Sequence, residues 1–299
     1  MRSHPYLLLT LAVFFWAGNF IFGRAFHAEI PPVALAFWRW SCAALLVTGP
    51  SLRHLRRDRG ALLAAWRPVL ILSALGIGAF NTLVYSGLQY TQAINALLIQ
   101  SLMPVLIVLF SWLLFREQLR PLQSAGILVS LWGAVTIIAR GDPAVLASLQ
   151  FNRGDLLVGA AVLCYAGYSV LLRTRPAVHP LSFITVTFWL GALMILPLYL
   201  WESMTVRPLQ LQPVTLLVIG YVAIFPSILS YLCYNRGVGE IGANRAGLFI
   251  HLLPVFGSIM AIVFLGEQLF WHHVVGIALI AVGIALAVRK QPVARSAGT

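Results

Sequence analysis

Charged side chains are scarce: 20 Lys and Arg with 8 Asp and Glu make 9% of 299 residues, against 60% hydrophobic. That balance lies far outside water-soluble domains and puts the chain in a lipid bilayer. Carboxylates are the rarest charge. Glu29, Asp58, Glu117, Asp142, Asp155, Glu202, Glu240 and Glu267 all fall in loops or at the ends of apolar runs, a poor outfit for a proton relay across a membrane or for paired-carboxylate catalysis. The only cysteines, Cys42, Cys164 and Cys233, lie inside apolar runs without C-x-x-C spacing, so neither a disulfide framework nor a zinc site is expected. His272 and His273 come nearest to a metal pair, but adjacent residues do not share a helix face. No G-x-x-x-x-G-K-S/T loop occurs, which argues against ATP-driven pumping by this chain alone. An enzyme is not expected, nor any cofactor or metal.

Apolar runs of roughly 17 to 25 residues, enough to cross about 30 Å of hydrocarbon as a helix, are plentiful. Ten are found, at 5–23, 32–50, 68–88, 93–115, 121–139, 154–172, 181–200, 214–234, 243–265 and 271–288. Distributing Lys and Arg over alternate loops places fifteen on the side of the N-terminus: Arg2, Arg53, Arg56, Arg57, Arg59, Arg67, Arg116, Arg120, Arg173, Arg175, Arg236, Arg245, Arg289, Lys290 and Arg295. The other side receives four, Arg24, Arg140, Arg153 and Arg207. That bias predicts both termini in the cytoplasm of a multi-pass inner (plasma) membrane protein. It also accounts for the net charge of +12 without nucleic acid, since no basic stripe interleaved with aromatics is left over. Residues 51–67 read as the longest basic loop and 291–299 as a cytoplasmic polar tail.

The chain repeats itself. Residues 93–119 align without gaps on 243–269 with nine of 27 positions identical, including Pro-Val and Glu-Gln-Leu. Trp16-Ala17-Gly18 and Arg24 match Tyr165-Ala166-Gly167 and Arg173 at an offset of 149, and Gly126 and Gly133 match Gly276 and Gly283 at 150. Two five-helix units are expected, 1–145 and 146–290. Because five is odd, the second enters from the opposite side, giving an all-α integral membrane fold of ten transmembrane helices as two inverted repeats around a central cavity.

The aromatic-Ala-Gly-Asn end of the first run, Phe37-Trp38-Arg39, the Pro-Val with its following Glu-x-Leu, and the Gly-x6-Gly of the next helix resemble the EamA-type families of the drug/metabolite transporter superfamily. The resemblance covers nearly the whole chain. It implies a carrier in which helices one to four and six to nine surround the cavity, helices five and ten are peripheral, and small polar metabolites, often amino acids, leave the cell. In size and aromatic richness the chain looks most like the bacterial aromatic-amino-acid exporters. Arg116 departs from the pattern, since the second copy carries Gly266 there.

Candidate site residues follow from polarity inside the runs. Pro104 and Pro254 hold equivalent places in the fourth and ninth, where a proline frees the carbonyls of Gln100 and Ile250; they are read as hinges beside the site or as packing kinks. Arg39 sits about 10 Å deep at 1.5 Å per residue with no carboxylate in any run to neutralise it, so a substrate carboxylate is one partner; snorkelling, or bonding to helix-end carbonyls, is the other reading. His251 is the one histidine well inside a run and the best placed for proton coupling, or else it bonds a neighbouring helix. Trp16, Asn19, Trp38, Asn81, Tyr85, Gln100, Tyr168 and Tyr231 complete a mixed aromatic and amide surface suited to a flat apolar body with a polar end. The expected partners are a small-molecule substrate and membrane lipid, with no nucleic acid and no ATP, for a monomer or homodimer. The expected function is a secondary transporter exporting amino acids, aromatic ones favoured, by alternating access and facilitated diffusion. Proton-coupled efflux and a channel are the alternatives.

Overall fold

Wherever an apolar run meets a proline at its head, a helix begins, because the fixed φ of proline suits a first turn that has no use for its missing N–H. The computed structural model describes residues 4–25, 30–265 and 268–288, without the side chains of 20–25, 93, 261, 264 and 265. Its long helices are α1 (Pro5–Ala25), α2 (Pro32–Ala64), α3 (Trp66–Gly87), α4 (Ala93–Ser101 then Met103–Phe115), α5 (Pro121–Ile138), α6 (Arg153–Leu171), α7 (Pro180–Thr205), α8 (Pro213–Ile241), α9 (Ala243–Gly247, Leu248–His251, Leu252–Leu265) and α10 (Trp271–Val288). Among the described residues there is no strand. Eight of these elements, α2 to α8 and α10, are long and apolar enough to cross a membrane; α1 and the broken α9 are apolar but fall short of that criterion over their described residues. Glu29, Gly266, Glu267 and the tail 291–299, with Arg2, Arg289, Lys290 and Arg295, lie outside the described residues, as does the side chain of Arg24.

The basic stretch 51–67 is not a loop. α2 runs for 33 residues through Pro50 to Ala64, and α3 begins at Trp66. At 1.5 Å per residue that is about 50 Å, well beyond about 30 Å of hydrocarbon, so its last turns carry Arg53, Arg56, Arg57 and Arg59 past the apolar layer. Arginine is a good helix former, which is why a charge-rich segment stays helical once the helix reaches it. At the other end of α2 the buried Glu202 of α7 accepts from the Val33 and Ala34 amides at 3.2 and 2.7 Å, a carboxylate set where the helix dipole favours it.

Packing keeps the same pattern when α1–α5 are exchanged with α6–α10. α1 lies against α8 and α9 as α6 lies against α3 and α4, while α2 pairs with α7 and α5 with α10. The α5–α10 crossing is the tightest, because glycine faces glycine: a Cβ on Gly126 would lie 2.5 Å from the Gly283 carbonyl, and one on Gly133 2.7 Å from the Gly276 carbonyl. Arg116, at the end of α4, adopts φ 55°. A left-handed residue after a helix is most easily a glycine, so Arg116 holds a conformation that its side chain does not favour.

Candidate functional site

Four helices depart from α geometry in matched places. α3 and α8 each contain a π turn, at Ala74–Ala79 and Ile224–Leu229, 150 residues apart. α4 breaks between Ser101 and Met103, and α9 tightens into a 3-10 turn over Leu248–His251. Each break comes just before a proline. Pro104 therefore sits in the first turn of a fresh helical segment rather than in the middle of a bent helix, a correction to the sequence reading with the same cause as the proline-headed helices. Irregular backbone at membrane depth persists only where protein or a cavity satisfies it, and a cavity lies among these four points.

That cavity encloses about 500 Å³, including the part open to solvent, and is lined by Trp16, Asn19, Arg39, Phe80, Asn81, Val84, Gln100, Met103, Tyr165, Tyr231, Ile250 and Leu253. No lining residue comes from α5 or α10; α7 contributes none either and stands one layer back, with Phe188 against Trp40 at 4.8 Å. Eight of the twelve form four repeat-equivalent pairs: Trp16 with Tyr165, Asn81 with Tyr231, Gln100 with Ile250, and Met103 with Leu253. Two of the pairs differ in chemistry, Asn81 against Tyr231 and Gln100 against Ile250. The first half supplies Asn19, Arg39, Asn81 and Gln100, whereas the second supplies two phenols and two aliphatic side chains.

Arg39 is 1% exposed and organises the polar wall. Its Nε donates to Ser227 Oγ at 2.6 Å, Nη1 to Asn19, Asn81 and Tyr85 at 3.2, 3.0 and 2.8 Å, and Nη2 to the Pro226 carbonyl at 2.9 Å. Its guanidinium lies 4.8 Å from the Trp40 ring centre. Among the described residues the ion pairs are Arg173–Glu117 and Arg236–Glu240, so Arg39 has dipoles around it and no described counter-charge. The π turns make this possible. Pro226 and its equivalent Gly76 both present carbonyls inward, Pro226 to Arg39 and Trp16 Nε1 (3.1 Å), Gly76 to the Tyr231 hydroxyl. Ser227 returns its own proton to Val222 five residues back at 2.7 Å, as a π turn allows.

One hydrogen bond is kept in both halves with its residues exchanged. Tyr85 donates to Asn19 at 2.8 Å, and Tyr168 donates to Asn235 at 2.8 Å; Tyr85 is equivalent to Asn235 and Asn19 to Tyr168. Sequence comparison that looks for identity passes over such a swap.

Of the residues singled out from sequence, Trp16, Asn19, Arg39, Asn81, Gln100 and Tyr231 come together on the cavity. Tyr85 stands behind Asn19 and Arg39. Trp38 is directed to Tyr199, with its Nε1 donating to that hydroxyl at 3.2 Å, and Tyr168 packs under Gly76; neither lines the cavity. His251 also lies off it. Its Nε2 meets the Ser101 carbonyl at 2.9 Å and Nδ1 meets Ser130 Oγ at 2.7 Å. A carbonyl can only accept, so Nε2 carries a proton, and both ring nitrogens are engaged. Phe80, Val84, Met103, Ile250 and Leu253 were not among the selected residues, since polarity inside a run was the signal and apolar walls carry none. Their repeat pairing was the available clue.

An all-helical chain with a buried cation and an amphipathic hollow lined from both repeats has, on these features, the build of a membrane transporter. Comparison with known proteins gives the particular kind. The EamA-like transporter family matches residues 4–139 and again 152–289. The uncharacterized transporter YyaM of Bacillus subtilis is 28% identical over 291 residues, covering 94% of this chain and 92% of that protein. An uncharacterized transporter of Archaeoglobus fulgidus is 26% identical over 294 residues, covering 97% and 99%. A crystal structure shares the fold at a TM-score of 0.76 with 22% identity, over 96% of this chain and 98% of that one. The chain belongs to the EamA-like transporter family and is a multi-pass membrane protein.

Proposed function

We propose that the protein is a secondary transporter exporting small amphipathic metabolites that join a carboxylate to a flat apolar body, amino acids with aromatic side chains among them. The observation that carries this reading is the cavity shared by four repeat-equivalent pairs, with Arg39 on one wall and Trp16, Phe80, Tyr165 and Tyr231 on the others. A guanidinium forks onto a carboxylate and rings stack on a flat side chain. We read the chain as ten crossings in two inverted halves, 1–145 and 146–290, both termini cytoplasmic in the inner membrane, as a monomer or homodimer. Alternating access then exchanges two similar halves about the cavity.

Facilitated diffusion is the favoured driving mode. His251 has both ring nitrogens committed, and the described buried carboxylates, Asp155 and Glu202, serve helix starts. A tenfold outward gradient supplies about 1.4 kcal/mol, enough for net export. Counterflow in proteoliposomes is the test: labelled phenylalanine should enter faster when unlabelled phenylalanine is loaded on the far side, with saturation. Unsaturated flux that follows voltage and gains nothing from internal substrate would point to a channel instead, and uphill movement on internal acidification would point to proton coupling.

Pro104 and Pro254 we read as hinges flanking the site. In the same assay Pro104→Ala with Pro254→Ala should lower the turnover rate about tenfold while the melting temperature stays within a few degrees, because new helical hydrogen bonds offset the altered packing. Unchanged turnover would remove the hinge role.

A further inference from the structure

The unsatisfied hydrogen-bonding capacity beside Arg39 is weighted towards donors; the Tyr165 hydroxyl, which also lines the cavity without a partner, can donate or accept. Arg39 has only hydrogens to offer, so the oxygen of Asn81 is the atom that faces it, and Asn81 Nδ2 is left over. That nitrogen is buried without a partner, and so is Gln100 Nε2; the two residues are 4% and 3% exposed and both line the cavity. Two oxygens on the same wall are already engaged, Asn19 Oδ1 by Arg39 and Tyr85, Asn81 Oδ1 by Arg39. None of the lining residues is Asp or Glu. A native protein rarely leaves buried donors idle, and a buried cation without a counter-ion is costly.

From this ledger we infer that the preferred cargo is a monoanion, an aromatic carboxylate without an α-ammonium group. The inference rests on the proposed reading of the cavity as the transport site. A carboxylate set between Arg39, Asn81 Nδ2 and Gln100 Nε2 answers the charge and both free donors together. An α-ammonium on the same molecule is held a few ångströms from its carboxylate, hence close to the like-charged guanidinium, and among the described lining residues it meets no carboxylate. A monoanion also needs no coupling ion to leave an inside-negative cell, because the potential moves it outward.

Three compounds with the same phenyl ring separate the possibilities: 3-phenylpropionate (anion), phenylalanine (zwitterion) and 2-phenylethylamine (cation). In titration calorimetry of the purified full chain, 3-phenylpropionate should bind at least tenfold more tightly than phenylalanine, and the amine should not bind. In proteoliposomes, after subtraction of flux through protein-free liposomes, an inside-negative potassium diffusion potential should speed efflux of the anion and leave that of phenylalanine unchanged. Asn81→Asp, which places a carboxylate beside Arg39, should reverse the preference. Phenylalanine binding as tightly as 3-phenylpropionate to the native chain would overturn the inference and leave the amphipathic-carboxylate reading standing. Failure of all three compounds to bind would overturn both. The native comparison decides the matter even if the variant does not fold.

Discussion

Arg39→Leu is expected to abolish transport, with substrate binding weakened at least a hundredfold and the protein itself less stable. Two effects oppose each other in that substitution. Removing an intramembrane cation relieves a cost of about 3 kcal/mol on insertion scales. Against this, the acceptors on Ser227, Asn19, Asn81, Tyr85 and Pro226 lose their donor, and hydrogen bonds to a charged group contribute about 1.5–3 kcal/mol each. Even with strong non-additivity, two such bonds exceed the relief. Destabilisation wins. A hundredfold weaker complex corresponds to about 2.7 kcal/mol, the scale of one charge-assisted pair with a carboxylate. Arg39→Lys should fall between, since an ammonium keeps the charge but has three donors and no fork. Titration calorimetry and thermal melts of the detergent-purified variants test both halves of the expectation. Transport by Arg39→Leu within twofold of the native rate would remove Arg39 from the site.

Gly283→Ala should be among the most destabilising single methyls in the molecule. The added carbon would sit 2.5 Å from the Gly126 carbonyl and 2.6 Å from the Ser130 amide, and the reciprocal Gly126→Ala would meet the Gly283 carbonyl at 2.5 Å. These are backbone atoms, so no rotamer change makes room and the two helices must part. Overpacking typically costs about 1–3 kcal/mol, and contact with backbone puts this case at or above the upper end. Gly220→Ala in α8 is the matched control, because nothing lies within 4 Å of its added carbon; alanine there should stabilise by up to ~1 kcal/mol through helix propensity. Since α5 and α10 contribute nothing to the cavity, Gly283→Ala protein that survives purification should keep native affinity for substrate. A melting temperature equal to that of Gly220→Ala would contradict the close crossing.

Much of the architecture was legible because lipid leaves few options. Apolar runs of membrane length must be helices, and the glycines at 126, 133, 276 and 283 announced a close crossing that the structure contains. The basic segment after Pro50 was misread as a loop for a local reason: a proline and a cluster of arginines look like punctuation, yet a helix already under way can pass through both. The site was half legible. Polar residues inside runs drew attention to Asn19, Arg39, Asn81 and Gln100, whereas Trp38, Tyr168 and His251 carry the same signal and face elsewhere, because helix register over a dozen residues is too loose to say which side a single residue shows.

Composition and repetition by themselves determined the solvent, the helical class and the doubling of this chain, since hydropathy and self-similarity are properties of the sequence alone. Only tertiary structure decided that π turns in α3 and α8 aim two carbonyls inward, that a tyrosine and an asparagine exchange places between the halves, and that the guanidinium and the amides lining the cavity all come from the first half. Those depend on contacts between residues as much as 210 positions apart, such as Trp16 with Pro226, which no local pattern encodes.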